Sequence, residues 1–331
     1  MMAEPCSTRL DPRSRRVRAK GVAAGILYAV ASGLCFGSLP IFARMAYGAG
    51  VDVPTLLLLR FSIAAVCMWG VFLARGLRLP RGRGLALLLV MGAVGYAGQS
   101  YCYFAAITMA SVGLVSLLLY LYPALVALLA RLVFRHPLSG LQVAAVAIAL
   151  AGSALTIGRA GDGRPLGIFL GLLAAVAYSG YILAGSRIPA HITPTASTAV
   201  IVTAAAGTYA ALAAVRGVRL PGTMAGWTAV TAVAVVSTVL AILFFFEGLE
   251  RVGPVRASVY STVEPVFTLA LAAVLLGEPV TLVRAAGGVL ILAAVLLLAR
   301  EELRSSRAGA AASPSAPGLR SPAVPPPTGE G

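Results

Sequence analysis

A chain of 331 residues that is 59% hydrophobic and only 11% charged, with a mean hydropathy of +0.92, carries too little charge to cover the surface of a water-soluble domain of its size. Its net charge of +15 would suit a nucleic-acid binder if the basic residues formed one patch. They cluster instead in alternate connections between apolar runs, which excludes nucleic acid as a partner and points to a membrane protein sorted by its positive charges.

The chain opens with RLDPRSRRVRAK, residues 9–20, a basic segment followed by an apolar run over 21–43. That run is too long for the core of a cleaved signal peptide and lacks a clear small-residue cleavage site, so it is expected to stay as the first membrane helix. Nine more runs follow, at 54–74, 84–106, 109–133, 139–157, 166–186, 196–215, 223–247, 253–276 and 280–299. Runs of about 20 apolar residues can each cross the hydrocarbon core as a helix. Pro54, Pro137, Pro165, Pro221, Pro254 and Pro279 fall at or near the breaks, where prolines punctuate helices. The fold class expected is all-α integral membrane, with ten transmembrane helices.

Nineteen of the 26 Lys and Arg residues sit at the two termini and in the even-numbered connections. Arg44, Arg159, Arg164, Arg216 and Arg219 occupy the odd ones, and Arg60 and Arg284 fall inside segments. This bias places both termini in the cytoplasm, in a multi-pass protein of the cell membrane. The tail, residues 305–331, is rich in Pro, Ala, Ser and Gly and is expected to be disordered.

Polar residues inside the segments mark the candidate site. Segment 1 offers Tyr28 and Ser32. Segment 2 carries Arg60 about two turns from its start, where two readings stand: snorkelling to the interface, or a gate contact with an acid or an anion. Arg284, about a turn into segment 10, is expected to snorkel, and Glu247, Glu250 and Glu278, near segment ends, to be interfacial. Segment 3 presents Tyr96, Gln99 and Tyr103 at i, i+3 and i+7; segment 4 presents Ser116, Tyr120 and Pro123; segment 6 adds Tyr178 and Tyr181. Tyrosine combines apolar area with a hydroxyl, which suits an amphiphilic solute, although interhelical packing explains any one of them as well. Gly21/Gly25 and Gly167/Gly171 are GxxxG pairs that permit close helix approach.

Segment 9 contains YSTVEPVFTL, with Glu264 near the middle of an apolar run. An acid at mid-membrane costs roughly 2.5–3.5 kcal/mol, a cost left uncompensated if it faces lipid. Tyr260, Ser261 and Thr268, at i−4, i−3 and i+4, share its face and form a polar stripe expected to line a central wet cavity. Pro265 removes a backbone hydrogen bond and is expected to kink the helix. Glu264 is expected either to bind a cationic or amino group of a substrate or to carry a coupling proton. The alternative is a protonated packing residue.

The chain also repeats itself. A shift of 142 superposes SLLLYLYPALVALLARLVFRHP, from Ser116, on SVYSTVEPVFTLALAAVLLGEP, from Ser258, aligning Pro123 with Pro265 and Pro137 with Pro279. A shift of 146 aligns GVAAGILYAVA (21–31) with GIFLGLLAAVA (167–177). Two five-helix units, 21–157 and 166–299, follow. Five is odd, so the second enters the membrane inverted, the architecture of many secondary transporters. Under the shift of 142 the counterpart of Glu264 is Tyr122, which leaves the acid in one half only.

LLRFSIAAV, YAGQSYCYFAAI, PALVALLARLVF and EPVFTLALAAVLLGEPVT resemble the EamA-type family of the drug/metabolite transporter superfamily, over roughly residues 21–300. GEP (Gly277, Glu278, Pro279) is the most family-like mark; the first repeat departs from it with Arg135-His136-Pro137. The resemblance implies ten helices, cytoplasmic termini and movement of small metabolites, often export of amino acids or related compounds.

Other chemistries find no support. The only lysine, Lys20, precedes Gly21, so there is no phosphate-binding GxxxxGK[ST] loop and no sign of an ATPase subunit. His136 and His191 lie in loops without HExxH or a cysteine partner, and Cys6, Cys35, Cys67 and Cys102 are widely spaced, so neither a metal, another cofactor nor a disulfide framework is implied. A secondary transporter of small molecules by alternating access, monomeric or homodimeric in lipid, is the expectation. A lipid-processing membrane enzyme and a channel are its rivals.

Overall fold

The computed structural model of the protein describes residues 12–134, 139–157, 163–253, 257 and 260–312. Cys6, Arg9, Arg135, His136, Pro137, Arg159, Pro254, Arg256, Ser258 and the Pro-rich tail beyond Ala312 lie outside the described residues. Among those described there is no strand, only an isolated antiparallel bridge between Ala110 and Gly163. The helices in chain order are α1 (Pro12–Gly37), α2 (Leu39–Gly48), α3 (Val53–Ala74), α4 (Gly82–Val90), α5 (Ala97–Met109), α6 (Val112–Leu119), α7 (Tyr122–Phe134), α8 (Gly140–Ile157), α9 (Pro165–Gly185), α10 (Pro194–Arg216), α11 (Met224–Ala234), α12 (Ala241–Val252), α13 (Val263–Leu276) and α14 (Leu282–Ala312). Two π-helical segments, Met91–Tyr96 and Val235–Leu240, join α4 to α5 and α11 to α12.

Among the described residues, eight stretches are long and apolar enough to cross a membrane: Val22–Gly48, Val53–Ala74, Gly82–Met109, Val112–Val133, Pro165–Gly185, Pro194–Arg216, Met224–Val252 and Leu282–Glu301. Gly140–Leu155 and Val263–Leu276 are apolar but shorter. These two helices belong to the fifth and ninth expected segments, both of which adjoin residues outside those described.

Several boundaries move for identifiable reasons. The first segment breaks at Ser38 and continues as α2 to Gly48, with Pro40 in the first turn of α2, where its missing N–H costs nothing. The fourth turns at Tyr120 and Leu121 and the ninth at Thr262. Each break lies two or three residues before the proline of its repeat, because Pro123 and Pro265 cannot donate to the carbonyls of Leu119 and Ser261. Glu264, expected at the centre of a continuous helix, is instead the second residue of α13. The last helix runs to Ala312, past the expected end at 299.

The two halves interleave. Helix α1 packs on α12 and α13, while α9 packs on α5, α6 and α7; α3 pairs with α10, and α8 with α14. Each major contact thus joins one half to the other. Small residues set the spacing: a Cβ on Gly25 would lie 2.6 Å from the Arg251 Cβ. The main core, with Phe61, Phe104, Ile107, Leu118, Val202 and Val233, sits where these pairs meet. The π segments start 144 residues apart, at Met91 and Val235, and so mark matching positions of the two halves.

Candidate functional site

Glu264 owes its position to the break in the ninth segment. It stands in the first turn of α13, where the amide dipoles favour a negative charge. It is half-buried, and the polar side chain that engages its carboxyl is the Tyr120 hydroxyl, from the matching break between α6 and α7. Tyr103, Tyr122 and Tyr178 lie within electrostatic reach. The approach of α1 holds this turn in place. A Cβ on Gly37 would lie 2.9 Å from the Glu264 carbonyl oxygen, and Thr268 Oγ1 lies 2.9 Å from the Gly37 carbonyl and 3.0 Å from that of Glu264.

An aromatic ladder leads away from the carboxyl. The Tyr120 and Tyr122 rings are 6.1 Å apart, Tyr122 meets Tyr178 edge-on at 4.9 Å, Tyr178 stacks on Tyr181 at 6.0 Å, and Tyr181 stacks on Tyr96 at 5.5 Å. Tyr122, Tyr178, Tyr181 and Tyr96 are all half-buried, so the ladder is an amphipathic wall with spare surface. At its far end stands Arg60, 2% exposed. Its guanidinium lies 4.9 Å from the Phe61 ring centre and 5.1 Å from that of Phe104. Nε donates to Thr238 Oγ1 at 2.9 Å and Nη2 to the Tyr96 hydroxyl at 3.2 Å. Arg60 therefore does not snorkel; it ties one π segment, through Tyr96, to the other, through Thr238.

The remaining expected residues separate into two groups. Tyr103 and Ser116 come together at 3.2 Å beside the Glu264 cluster. Gln99 is buried, with its Oε1 3.4 Å from Ser100 Oγ. Ser32 donates to the Ala241 carbonyl at 2.8 Å and Ser261 to that of Ala257 at 2.9 Å, so both hydroxyls serve helix contacts. Thr268 is buried against α1 and does not open onto a cavity. Tyr260 is half-buried. Tyr28 packs on Phe244 and under the Arg251 guanidinium, at the end of the bundle where Glu247 pairs with Arg75 at 3.3 Å and with Arg251.

The opposite end is closed by other contacts. Glu278, expected at the interface, accepts from the amides of Val112 at 2.7 Å and Gly113 at 3.0 Å, capping α6. Arg284, expected to snorkel, is 3% exposed and donates to the Pro279 carbonyl at 3.1 Å. Arg44 donates to the Ile107 carbonyl. A cavity of about 470 Å³ lies here, lined by Arg44, Thr108, Ser111, Arg164 and Glu278 among others. A second, of about 340 Å³, is lined by Leu87, Leu129, Val133, Leu183 and Arg187 among others. Neither contains Glu264.

Sequence reasoning missed Thr238, whose partner depends on a π turn, and gave Tyr122 no role. The shift of 142 already placed Tyr122 opposite Glu264, and that was the available signal.

The sequence model of the EamA-like transporter family matches residues 23–158 and again 165–300. Uncharacterized transporter YcbK of Bacillus subtilis (strain 168) is 28% identical over 289 residues, covering 80% of this chain and 89% of that protein. Uncharacterized transporter YyaM of the same organism is 26% identical over 251 residues, covering 72% and 81%. One crystal structure superposes with a TM-score of 0.63 at 22% identity, covering 83% of this chain and 97% of its own, a likeness of fold.

Proposed function

The chain belongs to the EamA-like transporter family, a duplicated helical membrane protein and not an enzyme, and from that premise we propose that it is a secondary active transporter that exports amino acids or related amphiphilic solutes. In this proposal ten helices cross the cell membrane as two inverted repeats with cytoplasmic termini, and alternating access exchanges the shapes of the halves. The observation that carries the proposal is the half-buried Glu264 carboxyl, held at a helix break and faced by Tyr120. A carboxyl so placed can receive a substrate amine or a coupling proton, and the tyrosine ladder supplies an amphipathic surface for the rest of the solute.

The test is uptake and counterflow in proteoliposomes with a panel of amino acids and cationic dyes, with and without a pH gradient. Saturable counterflow, absent from a channel, is expected. Glu264→Gln should cut transport below about a tenth of the wild-type rate at equal membrane level, the loss of an interaction of ~1.4 kcal/mol or more. A mutant that transports normally would remove Glu264 from the mechanism.

A further inference from the structure

A carboxyl at one end of the ladder accounts for Glu264 but leaves the cation at the other end unexplained. Arg60 is 2% exposed, and among the described residues no carboxylate lies within ion-pair distance of it. Two of its three nitrogens are engaged, Nε by Thr238 and Nη2 by Tyr96; Nη1 forms no hydrogen bond among the described residues. Among the described residues no side-chain nitrogen or oxygen shut away from space lacks a partner, so Nη1 keeps some contact with open space. A guanidinium kept from bulk water without a counter-ion is unfavourable. The neighbouring rings of Phe61, Tyr96 and Phe104 offset part of that cost but supply no negative charge. The planar fork of arginine matches a carboxylate through parallel N–H donors, and Nη1 is the donor left over here.

We propose that Arg60 is a carboxylate-binding subsite at the far end of the tyrosine ladder: the solute carries a carboxylate that docks on Nη1, and its apolar body lies along Tyr96, Tyr181 and Tyr178. This rests on the ladder lining the transport site and adds a requirement to it. Solutes with an acid group are selected over their neutral amides. Because the same guanidinium joins the two π segments, docking also bears on the link between the halves.

The test uses two acid–amide pairs on the full-length protein purified in detergent: phenylalanine with phenylalaninamide, and 3-phenylpropanoate with 3-phenylpropanamide. The concentration of each that raises the melting temperature is measured for wild type, Arg60→Gln and Arg60→Lys. Each acid is expected to act at a concentration at least about tenfold below its amide, as a charge-assisted pair requires. Arg60→Gln should erase that difference, and Arg60→Lys, which keeps the charge but loses the fork, should restore only part of it. Equal action of acid and amide on wild type overturns the subsite, as does a difference that survives Arg60→Gln or the absence of any stabilisation by the acids. If Arg60→Gln does not fold, the wild-type comparison and Arg60→Lys decide. Stabilisation by the amides alone, lost in Glu264→Gln, would remove Arg60 from recognition and leave the transport proposal standing.

Discussion

Glu278→Ala is the perturbation whose size the geometry fixes most directly. The carboxylate accepts from the Val112 and Gly113 amides at 2.7 and 3.0 Å, so the mutant leaves two helix-terminal donors without their acceptor. Hydrogen bonds to charged groups are worth about 1.5–3 kcal/mol each. Glu278 is half-buried, so water replaces part of the loss, and Ser111 Oγ still caps Leu114 at 3.4 Å. A net cost of about 2 kcal/mol follows, or roughly a 30-fold shift in an equilibrium that makes or breaks this contact. The reporter is Val112→Cys, a near-isosteric change at a residue with 0% exposure, on a background without other cysteines. Its labelling rate with a membrane-impermeant maleimide should rise by about that factor when Glu278→Ala is added, if this end of the bundle opens during transport. An unchanged rate would mean that the Glu278 cap does not hold this end of the bundle closed.

Gly37→Val puts a branched side chain where a Cβ already lies 2.9 Å from the Glu264 carbonyl oxygen; it should lower stability by about 1–3 kcal/mol, read as a fall in melting temperature with loss of transport. Tyr178→Ala removes the ring between Tyr122 and Tyr181 and should raise KM for aromatic solutes up to about tenfold, the loss of one ring contact with the solute of ~0.5–1.5 kcal/mol, with a smaller effect on aliphatic ones. Thr238→Val takes the acceptor from the Arg60 Nε and should cost about 1–3 kcal/mol for a buried unpaired donor, visible in thermal unfolding. Arg75→Ala breaks an ion pair whose side chains are 46% and 29% exposed; it should leave the melting curve unchanged within error.

The duplication was legible because it rests on prolines, and a proline acts the same way in every context. Pro123 and Pro265, 142 residues apart, announced two breaks that the helices then make. The rung of tyrosines was legible residue by residue, because aromatic hydroxyls in apolar runs stand out. What the sequence could not give was direction. Ser32, Ser261 and Thr268 share the polar character of Tyr120, yet their hydroxyls turn to carbonyls of their own or neighbouring helices, a choice made by packing at a scale of tenths of an ångström. Arg60 misled for a different reason. Two turns from a helix end, a flexible cation reaches solvent by default; here a π turn in each of two distant segments delivers Tyr96 and Thr238 to it first. Single-residue insertions into helical winding leave no mark in a hydrophobicity pattern. Glu278 was placed by its distance from a helix end, which says nothing about whether another helix begins there.

The crossed pairing of α1 with α12 and α9 with α5 bears on how the protein comes to be made. A ribosome releases the amino-terminal half first, and that half emerges without its main packing partners: Gly25 and Ser32 await residues some two hundred positions downstream. Until translation is nearly over, these polar and small-residue seams must be shielded by lipid, by water or by the insertion machinery. Fragments ending before residue 165 should therefore be degraded when expressed alone and rescued when the remainder is supplied as a separate chain.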